Sequence, residues 1–150
     1  MDAPTWAIRL CSRDYYLTAF NGGGRTTNSI HTDRKVTDGI SSWEKFNIDQ
    51  VAPGNFSFQT SDGTHYVSAV NGGGVANAEA IHTDATSVGP WETFNLVFQP
   101  ADGTYAIQTP DGVHYVTAVH GGGRSAEAIH TDKTSVGPWE KFWLIYATPV

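Results

Sequence analysis

The 150-residue chain predicts an all-β protein made of three pseudo-symmetric four-strand repeats. Three observations carry this: one block of sequence is written three times, no segment has a convincing helical period, and short alternating runs are separated by Gly, Pro, Asn and Asp turns. The block runs from a glycine triplet, through His-Thr-Asp, to a Trp-Glu pair. The triplets begin at Gly22, Gly72 and Gly121, the His-Thr-Asp motifs at His31, His82 and His130, and the Trp-Glu pairs at Trp43, Trp91 and Trp139. A period of about fifty residues fills nearly the whole chain, which reads as one domain with repeats of about 1–52, 53–100 and 101–150. The end units of a linear solenoid differ from the middle ones because they cap it. Here the last unit is nearly as regular as the middle one, which favours a closed ring.

In the first repeat, Trp6, Ile8 and Leu10 alternate with Ala7, Arg9 and Cys11 as a half-buried strand. Residues 12–14 turn the chain, and 15–20 form a second strand. Asn21 and the glycines after it break the strand, because glycine accepts positive φ at little cost. A short strand follows at 29–33, a loop at 34–42, and a fourth strand at 44–51. The second repeat places its strands at 56–60, 65–70, 80–83 and 92–98, the third at 104–109, 114–119, 128–131 and 140–147. The Asp-Gly pairs at Asp62 and Asp111 join the first two strands of their repeats as hairpin turns. Residues 75–80 have the composition of a helical turn too short to stand alone. A single four-strand unit would leave an apolar face and open edges, whereas three can close into a barrel with a triangular cap. Twelve short strands in this order are the β-trefoil pattern.

Composition narrows the function. With 9 Lys and Arg against 15 Asp and Glu, the net charge is -6, which argues against nucleic acid or an anionic membrane surface as partner. No apolar run is long enough to span a bilayer, so no membrane insertion is expected. The N-terminal MDAPTW lacks the basic region and apolar core of a signal peptide, so a cytoplasmic location is expected, with any export by a non-classical route. Cys11 is alone and cannot form an internal disulfide; its alternating position suggests a small buried apolar residue. There is no Gly-x-Ser-x-Gly, no P-loop and no His or Cys pairing with metal-ligand spacing, so no enzyme, cofactor or metal is expected.

Three motifs are candidates for chemistry. If Ile30, Ile81 and Ile129 face the core, then His31 and Asp33, His82 and Asp84, and His130 and Asp132 face outward along their strands. A carboxylate accepts two hydroxyl hydrogen bonds, and a neutral imidazole supplies one donor and one acceptor. The alternative is structural: Asp caps the next turn and His packs at the strand end. The glycine loops, with Asn21, Gly22 and Gly23, Asn71, Gly72 and Gly73, and His120, Gly121 and Gly122, either let a ligand approach the backbone or simply meet the turn geometry. Trp43, Trp91 and Trp139 are either stacking faces or covers over the barrel end, with Phe46, Phe94 and Phe142 inside. Trp143 has no counterpart in the other repeats and reads as packing or an association surface; it and Cys11 are where a homodimer would meet.

The run Tyr-Val-Ser-Ala-Val-Asn-Gly-Gly-Gly … Gly-Pro-Trp-Glu-Thr-Phe in 66–94, echoed in all three repeats, resembles the fascin-like and hisactophilin-like branch of β-trefoils. The Gly-Gly … Ile-His-Thr-Asp combination resembles the sugar-binding repeats of galactose-specific mussel lectins, and the whole chain resembles mushroom fruiting-body β-trefoil lectins such as that of Boletus edulis. The ricin-type Gln-x-Trp motif is missing. The resemblance implies a non-enzymatic lectin with one shallow site per repeat, binding galactose or N-acetylgalactosamine, including Galβ1-3GalNAc on glycoproteins or glycolipids. It implies that the glycine loops, His and Asp contact the sugar, with the Trp as a stacking face. The first repeat carries Arg34-Lys35 and a longer loop, so its site is expected to differ most. Two other readings stay open: a β-glucan-binding module that uses the Trp-Glu pairs, and an actin-binding protein of the fascin kind.

Overall fold

The computed structural model describes residues 5–147. Twelve strands follow one another: β1 (Thr5–Leu10), β2 (Tyr15–Ala19), β3 (Ile30–Lys35), β4 (Asn47–Ala52), β5 (Asn55–Gln59), β6 (Tyr66–Ala69), β7 (Ile81–Ala85), β8 (Phe94–Gln99), β9 (Thr104–Gln108), β10 (Tyr115–Ala118), β11 (Ile129–Lys133) and β12 (Phe142–Ala147). Six of them close a barrel. β4 pairs with β5, β8 with β9 and β12 with β1, the last from Thr5 opposite Ala147 to Leu10 opposite Phe142. β5 meets β8 at Phe56 and Phe94, and β9 meets β12 at Tyr105 and Phe142. The ring shuts where Trp6 and Phe46 exchange backbone hydrogen bonds of 2.8 and 2.9 Å. The other six strands form three hairpins, β2–β3, β6–β7 and β10–β11, each with a register shift in its middle.

The repeat is visible in the core. Phe46, Phe94 and Phe142, at equivalent positions, are 1%, 1% and 0% exposed, and Ile30, Ile81 and Ile129 are buried beside them. Burying each phenylalanine contributes about 1.5–3 kcal/mol relative to leaving it in water. The barrel interior retains a void of about 30 Å³ lined only by apolar side chains. With no polar partner for a water, it is a dry packing gap and not a site.

Four local details differ from the sequence expectation. The second strands stop one residue short, because Phe20, Val70 and Val119 each open a 3-10 turn whose next residue, Asn21, Asn71 or His120, has positive φ. Glu44, Glu92 and Glu140 close a 3-10 turn ahead of the fourth strand instead of starting that strand. Residues 75–80, expected as a short helical turn, form turn and bend without a helix. Cys11 lies past the end of β1, in the turn, and is half-buried, not enclosed in the core.

Candidate functional site

The His-Thr-Asp strands alternate inward and outward. Thr32, Thr83 and Thr131 are 0% exposed, while His31, His82 and His130 are half-buried and Asp33, Asp84 and Asp132 are exposed. Buried isoleucine, outward histidine, inward threonine and outward aspartate is the pattern that period-two strands require. In the second repeat His82 Nδ1 lies 3.8 Å from Asp84. The imidazole edges are partly covered: Nε2 of His82 and of His130 is buried without a hydrogen-bond partner, and His130 Nε2 faces Glu127 at 3.5 Å. In the first repeat His31 stacks on Phe20 with ring centres 4.2 Å apart. Burial pushes the His31 imidazole below its usual range, and this outweighs the upward pull of Asp33; the charge of Arg25 adds to the lowering. Neutral His31 therefore keeps both a donor and an acceptor at pH 7.

The middle residue of the motif ties the ring together. The Gly24 amide donates to the Thr83 carbonyl at 2.6 Å, Gly74 to Thr131 at 2.6 Å, and Gly123 to Thr32 at 2.7 Å. Each bond links one repeat to the next, and the third closes the cycle. The same threonines donate their amides back to the carbonyls of Arg25, Val75 and Arg124, each at 2.8 Å.

The glycine loops face protein as well as solvent. Gly23 has φ of 121°, and a Cβ there would sit 2.5 Å from Thr60 Oγ1; at Gly73 (φ 130°) it would sit 2.6 Å from Thr109 Oγ1, and at Gly122 (φ 118°) 2.5 Å from Leu10. The close approach that glycine permits at these three positions is to the following repeat, so Gly23, Gly73 and Gly122 are committed to packing. The first glycines, Gly22, Gly72 and Gly121, sit beside the pyrrole edges of Trp43, Trp91 and Trp139, whose Cδ1 a Cβ would meet at 3.6, 4.0 and 3.6 Å.

Those indoles are exposed by 38%, 45% and 44%. The adjoining Glu44 and Glu140 are 1% exposed. Glu140 accepts from the Gly137 amide at 2.7 Å and the Thr117 hydroxyl at 2.8 Å, and Glu44 accepts from the Ser41 amide at 2.8 Å and the Thr18 hydroxyl at 2.7 Å. The glutamates fix the turn, and the tryptophans are left at the surface. In the first repeat Phe20 touches both His31 and Trp43, the latter edge-on at 5.4 Å, which places the motif's imidazole and the indole on one patch. In the third, His120 takes the place of Asn21 and meets Trp139 edge-on at 5.6 Å.

Two further pairs went unrecognised in the sequence. His65 Nδ1 lies 2.5 Å from Asp62, and His114 Nδ1 lies 2.5 Å from Asp111, across the turns that join the first two strands of their repeats. Burial works against ionisation of Asp111, but the Val113 amide, the Thr109 hydroxyl and His114 together outweigh it and hold its carboxyl at about 2. Asp62 is lowered likewise: the Thr64 amide, His65 and Thr60 outweigh its burial. The signal was present as Asp-Gly-x-His in both turns, overshadowed because Asp-Gly alone already explains a hairpin. His65 and His114 press against Gly24 and Gly74; Tyr15 takes the corresponding place against Gly123.

No family model matches the chain, and no curated protein matches it. Solved structures do. The Rhizoctonia solani agglutinin is similar over 98% of this chain and 97% of its own, at 16% identity and a TM-score of 0.74. A structure described as the BEL beta-trefoil is similar over 98% and 95%, at 5% identity and a TM-score of 0.72. This chain has the β-trefoil fold. SeviL, solved bound to an asialo-GM1 saccharide, is similar over 99% of this chain and all of its own, at 12% identity and a TM-score of 0.68. At such identities the likeness speaks for the trefoil scaffold alone. Among the described residues of the trefoil no cluster of three or more His, Cys, Asp or Glu is arranged to hold a metal, and no helix is long and apolar enough to cross a membrane.

Proposed function

We propose that this trefoil is a multivalent carbohydrate-binding protein that performs no chemistry on its ligand. The observation that carries the reading is the threefold-repeated pattern of an exposed indole with its edge at a glycine loop and an outward imidazole and carboxylate on the third strand of each repeat, joined on one patch by Phe20 in the first. A pyranose needs an apolar face to stack on and fixed acceptors for adjacent hydroxyls, and each repeat offers both. The chemical class also fits its neighbours in fold, one of which was solved with a saccharide. The finer reading is galactose or N-acetylgalactosamine, including Galβ1-3GalNAc, bound by Asp33, Asp84 and Asp132 with their histidines. Few contacts per site give about millimolar affinity for a single sugar. Three sites on one rigid body then gain strength on a glycan-bearing surface by avidity.

A second reading is favoured by one observation. Because Glu44, Glu92 and Glu140 are turned inward, the Trp-Glu pair presents only its indole, which suits stacking on a β-glucan without a carboxylate fork. A glycan array tests both. Retention of galactose- and N-acetylgalactosamine-terminated glycans is the expected result, glucan retention moves the assignment to the tryptophans, and an array without binding overturns the carbohydrate reading. Cosedimentation with actin filaments would then support the fascin-like alternative.

A further inference from the structure

The three seams between repeats are not equivalent. At the first two, the turn of the following repeat lies tight against the glycine loop: the Asp62 amide donates to the Gly22 carbonyl at 3.4 Å and the Asp111 amide to the Gly72 carbonyl at 3.0 Å. A Cβ on Gly22 would meet Ser61 at 3.7 Å, and one on Gly72 would meet Asp111 at 3.7 Å. At the third seam the aspartate position is Ser12. The contact to the Gly121 carbonyl is made there by the Ser12 hydroxyl at 3.4 Å, and a Cβ on Gly121 would meet only Trp139 within 4 Å. The turn reaches this carbonyl through a side chain and not through its backbone amide. A cleft of about 480 Å³ opens there, lined by Cys11, Ser12, Asp14, Tyr15, His120 and Trp139 among others.

We infer that this cleft between the third and first repeats extends the third repeat's rim, with Trp139 and His120, into a saccharide subsite that takes one pyranose residue more deeply than the rims of the first and second repeats do. The inference rests on the carbohydrate-binding reading. The volume lies within the range of small-molecule sites. Its walls carry the groups a sugar uses: the Trp139 indole, the Ser12 hydroxyl and the Asp14 carboxylate. Arg124 stands 3.1 Å from His120 Nδ1. Because a guanidinium only donates, Nδ1 is the acceptor and Nε2 carries the proton, ready to donate to a hydroxyl. His120 is itself the departure from the Asn21 and Asn71 of the other loops, so two of the repeat's irregularities, Ser12 and His120, fall on the same cleft.

Cys11 reports occupancy, being the only cysteine and on the cleft wall. The full chain is treated with N-ethylmaleimide, with and without lactose or N-acetylgalactosamine, and labelling is followed by mass spectrometry beside direct binding of the same sugar. At ten times the dissociation constant, labelling of Cys11 slows about tenfold by mass action. Ser12→Asp, which restores the residue of the other seams, removes the protection and leaves binding at the rims of the first and second repeats in place. Sugar binding with Cys11 labelled at its unprotected rate overturns the subsite and leaves the carbohydrate reading intact. Protection that survives in Ser12→Asp also overturns it. Absence of binding by either sugar overturns both. The wild-type measurement decides the matter even if the variant fails to fold.

Discussion

The amide of Gly24 donates to the carbonyl of Thr83 across the boundary between the first and second repeats, at 2.6 Å. Two equivalent bonds, Gly74 to Thr131 and Gly123 to Thr32, complete a cycle through all three repeats. The two most conspicuous motifs in the sequence, the glycine triplet and His-Thr-Asp, therefore meet each other before they meet any ligand. Their inner atoms hold the ring, and the flanking His31 and Asp33, with their counterparts, face outward.

Gly23→Ala and Gly73→Ala are expected to destabilise the fold by about 2 kcal/mol or more each. The added methyl would collide with Thr60 or Thr109, and φ of 121° or 130° is strained for any residue with a Cβ. Urea unfolding measures this. Gly63→Ala is the control for strain without collision, since its Cβ would meet nothing within 4 Å.

Glu140→Ala is expected to cost about 1–3 kcal/mol, because the Gly137 amide and the buried Thr117 hydroxyl both lose their acceptor. Thermal denaturation reads the loss. Sugar binding below the new melting temperature should persist, since this carboxylate lies inside and the indole beside it does not.

Acid should weaken the trefoil through Asp111. Its folded carboxyl titrates at about 2, below the usual carboxylate range, so its contribution is present above pH 4 and is lost as pH falls toward 2. Asp111→Asn removes that part of the slope, and Asp62→Asn acts in the same direction. His31 adds a step nearer neutrality. Its folded imidazole is lowered from 6.5, so stability falls as pH drops below that value. Urea midpoints taken between pH 7 and pH 2 test all three.

Asp84→Ala is expected to weaken galactose binding at the second repeat about tenfold or more, the worth of a charge-assisted hydrogen bond. Trp91→Ala is expected to weaken it by up to about tenfold through loss of the stacking face. Titration followed by NMR separates the two. Binding untouched by Asp84→Ala and abolished by Trp91→Ala assigns the rim to stacking alone.

The repeats, the twelve strands and the outward setting of His31, Asp33 and their counterparts were legible in the sequence because strand period and turn chemistry are local. Glu44 was not: a Glu after a Trp looks exposed, and only the turn that brings the Ser41 amide and the Thr18 hydroxyl to it explains its burial. Nor was the role of Cys11, whose alternation suggested a core residue, because the strand ends at Leu10.

The sequence by itself determined the threefold architecture and the polar trio on each strand, since periodicity and glycine content act over a few residues. Tertiary structure alone decided that Gly23 belongs to Thr60, that Gly24 belongs to Thr83, and that the seam beside Ser12 stands open. Those outcomes depend on how one repeat meets the next, where a single side chain sets the gap, and no local pattern encodes that distance.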